Sequence, residues 1–160
     1  MRRLFAGLLY KEMIVNKGIY VITGDLGYKL WDKIRDNFPN RFYNVGSAEQ
    51  LLIGVGTGLA LENKIAICYS ITSFLLYRPF EFIRNFINHE NIPVKLLGGG
   101  LYEDYGNLGF THHSNEFLDV LNLFKNIEVF VPKNKDDLES MFKNYIYNKK
   151  PCFMGLRREV

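Results

Sequence analysis

The segment Arg41-Phe42-Tyr43-Asn44-Val45-Gly46-Ser47-Ala48-Glu49-Gln50 joins a brief extended piece to the start of a helix. Residues 41–44 are the extended piece, and a helix rich in Gly and Ala follows from Ser47 to about Glu62. Ser47 reads as the N-cap and Gln50 as its partner in a capping box, with Glu49 favourable in the positively polarised first turn. On local physics alone that accounts for Ser47 and Gln50 and leaves Glu49 merely tolerated.

The same alternation extends in both directions. Upstream, Leu4, Phe5, Leu8, Leu9 and Met13 recur at helical spacing over residues 2–15. Gly18 ends that helix, residues 19–23 form a short apolar strand, and residues 24–27 turn the chain. A second helix runs to about Asn37 with Trp31, Ile34 and Phe38 on one face, until Pro39-Asn40 breaks it. Downstream, strands are expected at residues 65–70, 93–97, 127–131 and 152–156. Helices are expected at 74–88, 115–124 and 136–147, with a glycine-rich loop over 98–109. Short apolar strands alternating with helices predict an α/β fold. It is a three-layer domain spanning residues 1–160, with an open, mostly parallel sheet flanked by helices. Ligands in such sheets gather where loops leave the carboxyl ends of the strands. Here those loops are residues 24–28, 70–74, 98–114 and 157 onward.

Bulk composition narrows the function. The 160 residues are 48% hydrophobic and 23% charged, so no disulfide or metal is needed for folding. A net charge of +3 is small, and Arg2-Arg3, Lys149-Lys150 and Arg157-Arg158 are dipeptides, not the dense patch of a nucleic-acid footprint. Cys68 and Cys152 each sit in an apolar run and read as small buried hydrophobes of a reducing compartment. The apolar run over residues 4–9 is too short for a signal peptide, and no stretch approaches a membrane span. A cytoplasmic protein is expected, with no nucleic-acid or membrane partner.

A few residues could carry chemistry. Gly54, Gly56 and Gly58 lie inside a helix and so do not form a dinucleotide fingerprint. Their expected purpose is close helix-to-helix approach, with Gly54 and Gly58 on one face, within the chain or across a subunit interface. His112 and His113 lack the companions of a metal site, and none is expected; one of them could serve as a general acid–base near neutral pH. His89, beside Glu90, reads as a surface residue.

Taken together, the chain resembles the pyrimidine-binding domain of transketolase-like thiamine diphosphate enzymes over nearly its whole length. The matches come in family order: Thr23-Gly24-Asp25-Leu26-Gly27, residues 41–50, Phe74 with Tyr77, and Arg84. Pro93-Val94-Lys95, Gly109-Phe110-Thr111-His112-His113 and Leu156-Arg157-Arg158 follow. The resemblance implies that Glu49 hydrogen-bonds N1′ of the cofactor's aminopyrimidine and favours the tautomer that activates the thiazolium. It implies that Phe74 stacks on the pyrimidine, that Ile71 and Tyr77 line the same pocket, and that Asp25 lies near the thiazolium. His112 would contact the donor substrate, and Arg2 and Arg158 would fall where substrate-phosphate arginines lie.

The chain departs from the family pattern in two respects. Leu108-Gly109-Phe110 stand where sugar-phosphate transketolases carry an acidic residue and Gly-Pro, and Gly100 stands near an earlier loop histidine. These changes weigh against the usual pentose-phosphate donor. No Gly-Asp-Gly motif with a downstream Asn pair occurs, so diphosphate and magnesium would be held by a partner chain of the transketolase N-terminal type. The implied activity is transfer of a two-carbon ketol unit between sugars or related carbonyl compounds by a split enzyme, as a homodimer or heterotetramer. The alternatives are decarboxylation of a 2-oxo acid, as in deoxyxylulose-phosphate synthase or dehydrogenase β subunits, and a non-catalytic assembly or regulatory domain.

Overall fold

The computed structural model describes residues 1–158. Six strands, β1 (Ile19–Thr23), β2 (Phe42–Asn44), β3 (Ile65–Ile71), β4 (Lys95–Gly99), β5 (Glu128–Phe130) and β6 (Cys152–Leu156), form one sheet in the order β2-β1-β3-β4-β6-β5. Every neighbouring pair is parallel. The helices are α1 (Arg2–Val15), α2 (Asp32–Asn37), α3 (Glu49–Leu61), α4 (Thr72–Tyr77), α5 (Phe80–Phe82), α6 (Phe117–Asn122) and α7 (Lys135–Tyr147). A π-helical stretch, Ile83–His89, continues α5.

Period-two alternation in the strands divides the interior into two cores. Ile67 and Tyr69 of β3 join Phe5, Leu9 and Met13 of α1 and Leu138, Phe142 and Ile146 of α7 on one face. Ala66 and Cys68 of the same strand join Leu52 and Ile53 of α3, Leu75 and Leu76 of α4, and Phe117 of α6 on the other. A sheet with both faces covered needs strands that are apolar throughout, and β6 is buried at all five positions. Both cysteines are free and buried, and burial pushes both thiols up, Cys152 to about 11, so neither is a reactive thiolate at neutral pH. Lys95 is also buried; its Nζ donates to the carbonyls of Asn148 (2.6 Å) and Lys150 (2.7 Å), fastening β4 to the connection between α7 and β6.

The first helix, β1, β6 and the end of the last helix lie where the residue pattern puts them. The fourth strand runs two residues later than expected, and three helices differ. Asp25 and Gly27, at φ 54° and 81°, lie in the expected turn, but Lys29, at φ 62°, cannot belong to an α-helix, and the second helix is confined to Asp32–Asn37. The capping box at Ser47 does not form. Ala48 is the N-cap with no side-chain cap, Glu49 is the first helical residue, and Gly46, at φ 72°, makes the turn. The helix expected over 74–88 starts earlier, at Thr72, and breaks at Arg78-Pro79, where proline removes a backbone donor and its ring disfavours a continuous helix.

Within the chain the glycines of α3 are not alike. It is Gly56 that needs close approach, since an added Cβ would run into Cys68 Sγ of β3. Around Gly58 there is open space. Gly56→Ala should therefore destabilise the chain by about 1–3 kcal/mol through overpacking. Gly58→Ala should stabilise it by roughly 0.5–1 kcal/mol by removing a helix-interior glycine. Urea unfolding of the two variants beside the unsubstituted chain tests this opposition of sign.

Candidate functional site

The carboxyl ends of β1 and β3 mark the point where the chain changes direction across the sheet, with β2 on one side of β1 and β3 on the other. The connection from β2 into α3 passes over this point. Asn44, the last residue of β2, secures it: its Oδ1 accepts from the backbone N–H of Asp25 (2.9 Å) and Gly46 (3.0 Å), and its Nδ2 donates to Asp25 Oδ1 (3.0 Å). The Asn44 amide, then the Tyr28 hydroxyl, hold the exposed Asp25 carboxyl below the usual aspartate range.

That turn delivers Glu49 to the interior with a side chain only 1% exposed. The hydroxyl of Ser70, itself fully buried near the end of β3, donates to Glu49 Oε1 (3.0 Å). Arg78 Nη1 donates to Oε2 (2.9 Å). On the β1 side Gly24 is bare: a Cβ there would lie 3.4 Å from Oε1. An unpaired carboxylate in so dry a place would be costly, so both donors are needed to hold the charge there.

Phe74 of α4 forms the adjoining wall. The Arg78 guanidinium lies over it, 3.8 Å from the ring centroid, and the His112 ring meets it edge-on at 4.9 Å. His112 sits on the glycine-rich loop, which is pinned to α4 where Ser73 Oγ donates to the Thr111 carbonyl (2.9 Å). Tyr105 of the same loop approaches His112 at 5.7 Å and carries Arg158 over its ring at 5.1 Å. Arg2 is close enough to Tyr69 and Tyr105 to oppose the upward push that burial gives both phenols, and its Nε is buried without a hydrogen-bond partner.

Of the residues expected from sequence, Glu49, Phe74 and His112 thus form one continuous group, and Arg2 and Arg158 approach its far side through Tyr105. Ile71, the last residue of β3, borders it as the N-cap of α4. Asp25 stands at the rim. Tyr77, the last residue of α4, packs against the second core, and burial, then the nearby Glu116, push its phenol up. Ser70, Arg78 and Tyr105 join the site without having been expected in it. Arg78 had a readable signal, since it lies four residues after Phe74 and hence on the same helical face. Ser70 had a weaker one, a polar residue closing an apolar strand. Among the described residues no cluster of His, Cys, Asp or Glu could hold a metal ion, and no helix is long and apolar enough to cross a membrane.

The loop is anchored at its base by Asp104. Its carboxylate accepts from the backbone N–H of Leu101 (3.0 Å) and Arg158 (2.8 Å) and from Arg157 Nε (2.8 Å). Burial pushes the Asp104 pKa up, but Arg157 and the two backbone donors outweigh that and hold it below the usual aspartate range.

Comparison with known proteins gives a consistent result. The family described as transketolase, pyrimidine binding domain, matches residues 1–160. An apulose-4-phosphate transketolase subunit of Actinobacillus succinogenes is 35% identical over 119 residues, which are 74% of this chain and 38% of that protein. The 1-deoxy-D-xylulose-5-phosphate synthase of Carboxydothermus hydrogenoformans is 33% identical over 125 residues, 76% of this chain and 19% of that protein. A solved structure described as a split gene transketolase, inactive beta4 tetramer, superposes with a TM-score of 0.86 at 28% identity, covering 99% of this chain and 50% of its own. The chain thus spans half or less of the length of these relatives.

A depressed Asp104 pKa makes its anchoring fully present above the ordinary aspartate pKa of about 3.9 and lost as pH falls through the lower folded value. Asp104→Asn should cost about 1–2 kcal/mol at neutral pH. The difference from the unsubstituted chain should shrink as pH falls below the ordinary aspartate range. Thermal melts across that range, with limited proteolysis of the 98–114 loop, check both the size and the direction.

Proposed function

Because this chain belongs to the transketolase pyrimidine-binding domain family, we propose that it supplies the pyrimidine half of a split, thiamine diphosphate-dependent transketolase-like enzyme. The observation that carries this reading is the buried Glu49 carboxylate, its inner oxygen fixed by Ser70 and its outer one joined to the Phe74 ring through Arg78. A carboxyl group in a dry pocket can share a proton with a ring nitrogen, here N1′ of the aminopyrimidine, and Phe74 offers the flat apolar face on which such a ring stacks. When bound, thiamine diphosphate supplies a nucleophilic carbon that attacks a substrate carbonyl. Glu49 would hold the proton at N1′, and Phe74, Ile71 and Tyr77 would orient the ring and exclude water. Asp25, at the rim, would lie near the thiazolium.

His112 would contact the donor substrate, and Arg2 and Arg158, grouped about Tyr105, would meet an anionic end of it. A phosphate is the chemistry two arginines suit. Diphosphate and magnesium would be held by a partner chain of the transketolase N-terminal type, in a homodimeric or heterotetrameric assembly in the cytoplasm. Two relatives support that division of labour: one is named as a single subunit of its transketolase, and the other is a split-gene transketolase whose β4 tetramer is described as inactive. The substrate class is a keto-sugar. Likeness to deoxyxylulose-phosphate synthase favours, as a second reading, decarboxylation of a 2-oxo acid at the same site.

Reconstitution tests this. Mixed with its diphosphate-domain partner, thiamine diphosphate and magnesium, the chain should transfer a two-carbon unit from a ketose phosphate. Glu49→Gln should lower turnover by on the order of a hundredfold or more. Carbon dioxide release from pyruvate in place of ketol transfer would select the second reading. Turnover of neither donor class, with no retained cofactor, would sink both.

A further inference from the structure

The outer oxygen of Glu49 already has an occupant. Arg78 donates to Oε2, and the same guanidinium lies over Phe74 with its central carbon 3.8 Å from the ring centroid. The Arg78 side chain is 46% exposed against 1% for Glu49, so the arginine reaches in from solvent to cover an acid that the rest of the chain has sealed. A guanidinium is planar and presents N–H donors in its own plane, with faces that stack on aromatic rings. A protonated aminopyrimidine offers the same two features, a flat face and an in-plane N–H. A group that touches both Glu49 Oε2 and the covered face of Phe74 must lie where the guanidinium lies.

We propose that Arg78 is a placeholder for the aminopyrimidine, seated on Phe74 and Glu49 in the free chain and displaced when the ring enters. This rests on the Glu49–Phe74 reading above. The position suits the task. Arg78 stands immediately after α4 and before Pro79, at the break between two helical segments, so its side chain can swing without unwinding a continuous helix. Its half-exposed ion pair is screened by solvent and can be given up, whereas Glu49 with no partner would be an uncompensated buried charge. The acid is therefore covered until the ring arrives. The cofactor's apparent affinity falls by the fraction of chains in which the arginine is seated.

Titration of the full chain with the free aminopyrimidine alcohol, the pyrimidine fragment of thiamine, separates the possibilities by calorimetry without any turnover. Arg78→Ala should bind it about tenfold tighter than the unsubstituted chain, and adding Glu49→Gln should erase the gain. Equal or weaker binding by Arg78→Ala, with Glu49→Gln still weakening the unsubstituted chain, would overturn the placeholder and leave the pyrimidine site standing. Binding that is indifferent to both Glu49→Gln and Phe74→Ala would overturn the site itself, and the placeholder with it, as would absence of binding throughout. Should Arg78→Ala fail to fold, Arg78→Lys keeps the charge without the flat plate and carries the same expectation. The Arg78 side-chain N–H signal in the unsubstituted chain gives a second readout. It should be protected from solvent exchange in the free chain and lose protection on titration; retained protection at saturation overturns the proposal.

Discussion

A carboxylate held out of water at the first turn of a helix is the constraint around which this structure is arranged. Glu49 is buried to the point where it must be hydrogen-bonded on both oxygens, and the two donors come from different elements, Ser70 of β3 and Arg78 beyond α4. Meeting that demand fixes the approach of α3 to the carboxyl end of the sheet. It also accounts for the turn before it: Asn44 binds the backbone of Asp25 and Gly46, so the ends of β1 and β2 are locked before the helix begins. The glycine-rich loop is then laid over the result, pinned by Ser73 at one point and by Asp104 at another.

Much of this was legible in the residues, for reasons that differ by element. The apolar runs of β1, β3 and β6 and the long amphipathic stretches of α1 and α7 carry strong periodic signals, and their places follow directly. Glu49, Phe74 and His112 could be singled out only by ordered resemblance, because each has an ordinary local explanation. The helix start expected at residue 47 is displaced for a physical reason. Ser47 and Gln50 satisfy the spacing of a capping box, but the tertiary tie from Asn44 to Gly46 governs the turn, and the helix begins two residues later without a side-chain cap.

The rest was illegible because it depends on contacts between distant segments. Gly24–Gly27 reads as a turn, but nothing local forecasts that Lys29 also takes a positive φ and delays the helix to Asp32, although Trp31 is buried as the apolar pattern requires. Ser70 and Tyr105 gain meaning only once β3 and the loop after β4 are brought beside α3 and α4.

The two outermost strands have a consequence for assembly. β2 and β5 are three residues each, and β5 begins with a glutamate. Such short borders, one of them opening on a charge, present few unpaired backbone groups, which is how natural sheets avoid indefinite lateral growth. The sheet's edges are therefore poor templates for an added strand, and its helix faces and loops are the broader surfaces left for contact.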